Sequence, residues 1–560
     1  MTTEEGATPA PSPADVNEDP LPHPNSFDAI PKTVAGPFED RPELIFAVVR
    51  TLGSQAGPVI AALQSALTAA RYTVHVIKIS EFLKHEGKKW DERDRYDQLM
   101  DAGDEKRLEY TYPEVLTVRA LIEMRRLRTD VKFKGQPRAF IIDKLVRPEE
   151  VDTLRQVCGK RLFVIGCDAP RSVRIANLKI RFEQAGMEED QADQAATHAV
   201  NRDAGSVCPS RYKGFGVAVG KTLERSDLLV RSDNAARASE LIQRLVECIM
   251  SNPLHTLTLD EFGMAVAFKA ALTTASLARQ VGAAIMVDEQ IVAVGSNEVP
   301  KAGGGIYHHD SEIDGREKAE GKDPSDAKRA HLLSDLVRKL HYEGMLRYPP
   351  GRPVPRNRSL SDAHILAILN NPVIRESRVF DVIEYTRTAH AELVAITGAA
   401  RLGIKVSDGT LYTTTLPCHE CTRNIVAAGI SRVVYLEPYE KSKGWELQSD
   451  SMALIARAGK EASKISFEPF SGINYRRFAD LFSFLPRKED DVRKMRGKDL
   501  MFDGEMISWN MSEAAVRPSI YHQRFGYFDL ILQDIKEVML IELIKSRRPK
   551  KSFKGSSSWI

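Results

Sequence analysis

The sequence predicts an α/β protein built as two successive units, an N-terminal parallel sheet followed by an αβα unit that a large insertion interrupts. Short, near-continuously apolar runs alternate with helical stretches across residues 44–250, the pattern of a mostly parallel sheet covered on both faces. A second alternation starts at 259, gives way at 301–380 to a stretch rich in Gly, Asp, Lys, Arg and His, and resumes at 389. The 560 residues also exceed what one hydrophobic core accommodates.

Residues 1–40 are rich in Pro, Ala, Asp and Glu without periodicity, and such a composition buries too little apolar surface to offset its ordering entropy. A disordered arm is expected there. The first unit, 41–252, draws its strands from "LIFAVVR" (44–50), "TVHVIKI" (73–79), "AFIID" (139–143), "LFVIGC" (162–167) and "DLLVR" (227–231). Helical stretches such as 148–157 and 234–250 separate them, and Gly57-Pro58 suits a helix start. The second unit, 253–485, opens with a helix over 259–278 carrying Asp260 and Glu261 near its start, then strands 282–287 and 291–296 about a turn at 288–290. A helix at 326–344 is expected inside the insertion, then helix 389–402, strand 410–414, helix 419–429 and strand 432–436. Residues 486–560 form an extension with an amphipathic helix, 527–545, and a basic tail, "KSRRPKKSFKG". That tail suits either a solvated end or contact with an acidic partner.

The balance of 79 basic against 77 acidic residues gives a net charge of +2, so no global field recruits nucleic acid. Six cysteines are too few for a secreted disulfide scaffold, and "MTTEEGATPAPSPAD" lacks the basic and apolar regions of a signal peptide. With no apolar run of about 18 residues, no membrane span is expected. The expected compartment is the cytoplasm.

"LPCHEC" at 416–421 places Cys418 and Cys421 three apart, a spacing that serves redox and structural metal sites as well as catalytic ones. Upstream, "TAHAELVAI" (388–396) supplies His390 and, two residues on, Glu392. An H-x-E followed by P-C-x-x-C is the signature of zinc nucleobase deaminases, and here it reads His390-Ala391-Glu392 and Pro417-Cys418-His419-Glu420-Cys421. Two thiolates and one imidazole leave Zn²⁺ an open fourth position, which a structural site would close. The metal's contribution is to make water acidic enough, with a pKa near about 7, to attack cytosine C4 at neutral pH. Glu392, beside the ligand but not one of them, fits the general acid/base that passes protons to ring N3 and the departing amine. His419 is expected to point away, and Cys158, Cys167, Cys208 and Cys248 lack metal spacing.

With these residues in place, "LYTTTLPCHECTRNIVAAGISRVVYLEPY" (411–439) and "RQVGAAIMVDEQIVAVGSNEVPKAGGGIY" (279–307) resemble the deoxycytidylate deaminase branch of the cytidine deaminase superfamily. The resemblance implies that Asn297 contacts the sugar 3′-hydroxyl and that the Ala391 backbone faces the base. Over about 44–485 the chain is similar to bacterial anti-phage dCTP deaminases, in which a P-loop-kinase-like domain precedes a cytidine-deaminase-like domain. That likeness is carried by "IIDKLVRPEEVDTLRQVCGKRLFVIGC" (141–167), "NEVPKAGGGIY" (297–307), "EPYEKS" and "FEPFSGINYRRFADLF" (467–482). It implies conversion of dCTP to dUTP in defence against phage, and a self-associating enzyme. The "KAGGG" stretch with nearby Arg and Lys is a candidate for triphosphate contact, since Gly-rich backbone approaches phosphate closely, or else a plain loop. In the first unit, "GSQAGPV" (53–59) lacks the lysine and hydroxyl of a working P-loop. That domain is therefore expected to sense, dock or serve as architecture.

The leading expectation is a zinc-dependent deaminase of a free deoxycytidine nucleotide, converting dCTP to dUTP. Three rivals remain: housekeeping dCMP deamination, cytosine or adenine deamination in a polynucleotide, and a non-catalytic nucleotide-binding regulator. A polynucleotide substrate calls for a basic groove interleaved with aromatics, and the flanks of 390–421 show none.

Overall fold

The computed structural model describes residues 43–482 and 527–546, except 84–90, 131–136, 251, 253–254, 278, 322–323, 349–351, 354–359, 376, 378–384, 440–441 and 455–463. The N-terminal arm and most of the basic tail lie outside the described residues. Strands β1 (Leu44–Arg50), β2 (Thr73–Lys78), β3 (Arg138–Leu145), β4 (Leu162–Asp168) and β5 (Leu228–Arg231) pair in parallel in the order β5-β4-β1-β3-β2. Each expected strand is present.

Strand alternation divides the core of this sheet. Leu44, Phe46 and Val48 of β1 face helices Gly57–Ala69 and Ala235–Ile249. Ile45, Ala47 and Val49 face helices Val115–Thr129 and Pro148–Cys158. Both faces are covered, which is why the strands read as unbroken apolar runs.

The second sheet is made by β6 (Gly282–Val287), β7 (Gln290–Ser296), β10 (Thr410–Thr415), β11 (Arg432–Glu437), β12 (Met452–Leu454) and β13 (Ile465–Pro469), with a small hairpin of β8 (Arg347–Tyr348) and β9 (Arg352–Pro353) in the insertion. Its order is β12-β13-β11-β10-β6-β7, parallel from β12 to β10 and antiparallel at β6 and β7. Ala283 and Ile285 of β6 pack with Ala391, Ala395 and Ile425 on one side, while Ala284 and Met286 pack with Met264 and Ala267 on the other. Helices therefore cover both faces, as the αβα reading requires.

Helix Leu259–Ala271 begins at a capping box, in which Thr258 Oγ1 accepts from Glu261 N at 3.2 Å and Glu261 Oε2 accepts from Thr258 N at 2.9 Å. It stops seven residues short of the expected end at 278. Beyond it the Thr274 hydroxyl donates to the Asn297 carbonyl at 2.5 Å, a competing partner that draws the chain out of the helix. The insertion helix runs Pro324–Tyr342 and the late helices Ala391–Leu402 and His419–Ala427.

The units are joined more closely than their order in the chain suggests. A short strand, β14 (Gly472–Ile473), returns from the second unit to pair antiparallel with β5 of the first sheet. Helix Tyr527–Ser546 packs Ile541 and Ile544 into the first unit's core, where Glu537 accepts two hydrogen bonds from Arg128.

Candidate metal centre and substrate cavity

Two helix N-termini meet beyond the C-terminal end of β10. His390 is the N-cap of helix Ala391–Leu402 and Cys418 the N-cap of helix His419–Ala427, with Cys421 one turn on. The first helix is held by close contact with β7. A Cβ added at Gly295 would stand 2.3 Å from the Ala391 carbonyl oxygen, so only glycine admits the helix at this distance. A backbone bridge fixes the residue before the imidazole, with Ala389 N donating to Glu298 O at 3.1 Å.

The result is a tight cluster. His390 Nδ1 lies 3.3 Å from both Cys418 Sγ and Cys421 Sγ, and the three ligand atoms all fall within 4.8 Å of one another. A tetrahedral Zn²⁺ with ordinary Zn–N and Zn–S lengths sets such N···S edges at about 3.6 Å. The donor set of two sulfurs and one imidazole suits zinc, and the observed edges match it. These are the residues that could hold the ion. His419 is not part of the cluster.

The Cys418 hydrogen bond, opposed by burial, raises the His390 imidazole to about 9, while Cys418 is held well below the usual thiol range by its hydrogen bond with Cys421 and by His390. Cys158, Cys167 and Cys248 are the opposite case, their thiols pushed by burial to about 12, about 11 and about 12. Such thiols are inert.

Glu392, in the first turn, is 4 % exposed, with Oε2 3.4 Å from Cys421 Sγ. Burial raises its pKa, and the His390 charge acts against that rise. A cavity of about 340 Å³ opens here, lined by His390, Glu392 and Cys418 and also by Asn297 and Ala391. The structure thus brings His390, Ala391, Glu392, Cys418, Cys421 and Asn297 to one place, all but Cys421 on the cavity wall.

Asn297 is partly committed. Its Oδ1 accepts from Val281 N at 2.7 Å and its Nδ2 donates to Arg279 O at 2.6 Å, which leaves a second amide hydrogen. Three contributors were not evident from the sequence. Glu298, fully buried, accepts from Ala275 N at 2.8 Å and Val299 N at 3.0 Å and so braces the loop that carries Ser276 to the wall. Arg279 lines the cavity from that loop, and the insertion adds Arg329. The "KAGGG" turn lies elsewhere: a Cβ at Gly304 would meet the Arg401 side chain at 2.7 Å, at the other end of helix Ala391–Leu402.

Comparison with known proteins agrees with this geometry. Residues 257–437 match the family profile described as the cytidine and deoxycytidylate deaminase zinc-binding region. That stretch is therefore similar to a deaminase zinc-binding region, and it contains His390, Cys418 and Cys421. The deoxycytidylate deaminase of Enterobacteria phage T4 is 38 % identical over 82 residues, 14 % of this chain and 42 % of the phage protein. That of Enterobacteria phage T2 is 47 % identical over 58 residues, 10 % of this chain and 31 % of the phage protein. The chain thus spans less than half the length of these relatives. Among solved structures, the dCMP deaminase of cyanophage S-TIM5 in apo form is matched at 14 % identity and a TM-score of 0.20, covering 39 % of this chain and 100 % of that one. Among the described residues no helix is long and apolar enough to cross a membrane.

Proposed function

We propose that the chain catalyses hydrolytic deamination of a free deoxycytidine nucleotide, dCTP to dUTP with release of ammonia, and that it depletes dCTP in defence against phage. The observation that carries the reading is the cavity on which His390 and Cys418 stand beside the buried carboxylate of Glu392. His390, Cys418 and Cys421 would hold Zn²⁺, which when bound supplies the Lewis acidity that activates water near neutral pH. Glu392 takes one proton from the attacking water and passes it to ring N3, then takes the second from the hydroxyl now on C4 and delivers it to the amine, which leaves as ammonia as the C4 carbonyl forms. Burial suits the carboxylate to both roles by bringing its pKa toward the working pH. Asn297 and the Ala391 backbone hold the sugar and the base.

The remaining assignments rest on the resemblance. In this reading 41–252 is a P-loop-kinase-like domain without a phosphate-binding lysine, 253–485 the deaminase domain with its insertion at 301–380, and the enzyme a cytoplasmic homo-oligomer. The loop after β1 supports a domain without NTPase activity, since its Leu52 N–H donates to Asp203 at 2.8 Å and its Gln55 N–H to the Ser232 hydroxyl at 3.2 Å, where a phosphate cradle would keep them for ligand. A second reading, dCMP to dUMP, is favoured by the phage relatives, both named deoxycytidylate deaminases.

The test is to incubate the zinc-loaded protein with dCTP, dCMP, CTP and single-stranded DNA and to measure uracil formation. Turnover of dCTP is the expected result. Turnover of dCMP with dCTP untouched selects the second reading, and turnover confined to DNA overturns both.

A further inference from the structure

We propose that the hydroxyls of Thr388 and Thr415 bind the pyrimidine base beside the metal cluster and make the cavity selective for it. The inference rests on the deaminase reading above and names the side chains that hold the base. Among the described residues, four buried hydroxyls have no hydrogen-bond partner in the protein, those of Thr117, Ser226, Thr388 and Thr415. The last two line the cavity. Thr388 lies two residues before His390, and Thr415 three before Cys418. Each therefore stands where the chain enters a ligand-bearing helix, at the end of the cavity that must take the base, because deamination places C4 at the cluster.

Neighbouring hydroxyls show what sets these two apart. On β10, Thr413 Oγ1 donates to Thr415 O at 3.1 Å and Thr414 Oγ1 accepts from Gly282 N at 3.1 Å, tying the strand to itself and to β6. Upstream of His390, Thr386 Oγ1 accepts from Thr388 N at 3.2 Å. The fold employs these hydroxyls and leaves those of Thr388 and Thr415, in residues only 6 % and 7 % exposed, without a partner. A buried hydroxyl in that state destabilises the folded protein, which an apolar side chain of the same shape would not do. The pyrimidine supplies what is missing: its C2 carbonyl and ring N3 accept, its amine donates, and a hydroxyl does both. Both oxygens are shielded in the protein alone, and rotation about Cα–Cβ is the movement that turns them onto the wall their residues line. Such a site rejects a ring without those groups, because its own hydroxyls then stay unpaired.

Affinity and stability should then move in opposite directions, which a merely structural hydroxyl would not allow. Thr388→Val and Thr415→Val keep the shape and remove the oxygen. Titration calorimetry of the zinc-loaded full chain with dUTP and dUMP is expected to show each variant binding both products about fivefold more weakly. The factor should be the same for the two, since they share the base. The Tm of the nucleotide-free variants should equal or exceed that of the wild type, with zinc content unchanged. Thr388→Ser and Thr415→Ser, which retain the hydroxyl, should bind within about twofold of the wild type. Unchanged affinity in the valine variants, weakening of dUTP alone, equal loss in the serine variants, or a wild type that binds neither product overturns the proposal. So does a lowered Tm, or a valine variant too unstable to fold, because either shows that the hydroxyl has its partner within the protein. Binding needs no turnover, so the two readings fail separately. A wild type that binds both products through these hydroxyls yet deaminates nothing sinks the catalytic reading and leaves this one standing, and one that deaminates while its valine variants bind as tightly sinks this one alone.

Discussion

Glu392 and His390 are separated by one residue on the first turn of a helix, so the carboxylate stands beside the ligand without joining the cluster. Glu392→Gln keeps the shape and removes the proton carrier. Turnover is expected to fall by about 10²–10⁴-fold, with zinc content by elemental analysis unchanged, whereas Cys418→Ser should lose both zinc and turnover. A Glu392→Gln enzyme with ordinary kcat would place proton transfer elsewhere. These residues were legible in the sequence because the chemistry itself demands their types and spacing. Glu298 and Arg329 were not, because each acts through distance in space: Glu298 braces a loop twenty-odd residues upstream, and Arg329 reaches the wall from an insertion that carries no motif.

At the scale of elements, the centre depends on how closely helix Ala391–Leu402 approaches β7. Gly295→Ala would put its Cβ 2.3 Å from Ala391 O and 2.6 Å from Ala395 N, forcing helix and strand apart. Weaker zinc retention in a chelator competition and a lower Tm are expected, and unchanged values for both would show that the contact is dispensable. Across the sheet, Arg432 of β11 donates to Asp260 at 2.7 Å and to Glu468 at 2.9 Å. Burial raises both carboxyl pKa values, but the Arg432 hydrogen bonds and charge prevail and lower them. A depressed folded pKa means stability that is present above the ordinary carboxylate range, about 4, and lost as pH falls through the folded value. The Tm difference between wild type and Arg432→Gln should therefore shrink on acidification from about pH 6 to about pH 3; a constant difference would remove the ionic explanation. Apolar periodicity gave β1 to β5 of the first sheet, β6, β7, β10 and β11 of the second, and most helices near the site, but not the short strands β12, β13 and β14. It does not mark helix Arg95–Tyr110, whose inward face is partly ionic: Arg107 pairs with Asp104 and Glu150 at 3.0 Å each, and all three are buried.

For the whole molecule, the sequence reads as two units in series, whereas the structure ties them at a joint with a buried carboxylate at its centre. Glu261, completely buried, caps its own helix and accepts from Arg244 Nη1 at 2.6 Å and Nη2 at 2.8 Å on the first unit's last helix. It also accepts from Ile473 N at 2.8 Å, on the strand that joins the first sheet. Beside it, Asn474 N donates to Asp227 O at 2.7 Å, and Arg477 is hydrogen-bonded to Leu162 O and Asp227. In the sequence Glu261 is visible only as a good first-turn acid, because its other partners come from positions 17 and 212 residues away. Removing it would leave Arg244 largely buried without its carboxylate and the Ile473 amide without its acceptor, and breaking a buried ion pair from one side costs about 3–5 kcal/mol. That energy lies in the joint, so its loss should uncouple the units as well as weaken them. Glu261→Ala is expected to split a single calorimetric transition into two, with zinc raising only the transition of the second unit by binding its folded state. If the variant melts in one step that zinc shifts as a whole, the units cooperate through β14 and Arg477 without it, and Glu261 is no more than a helix cap.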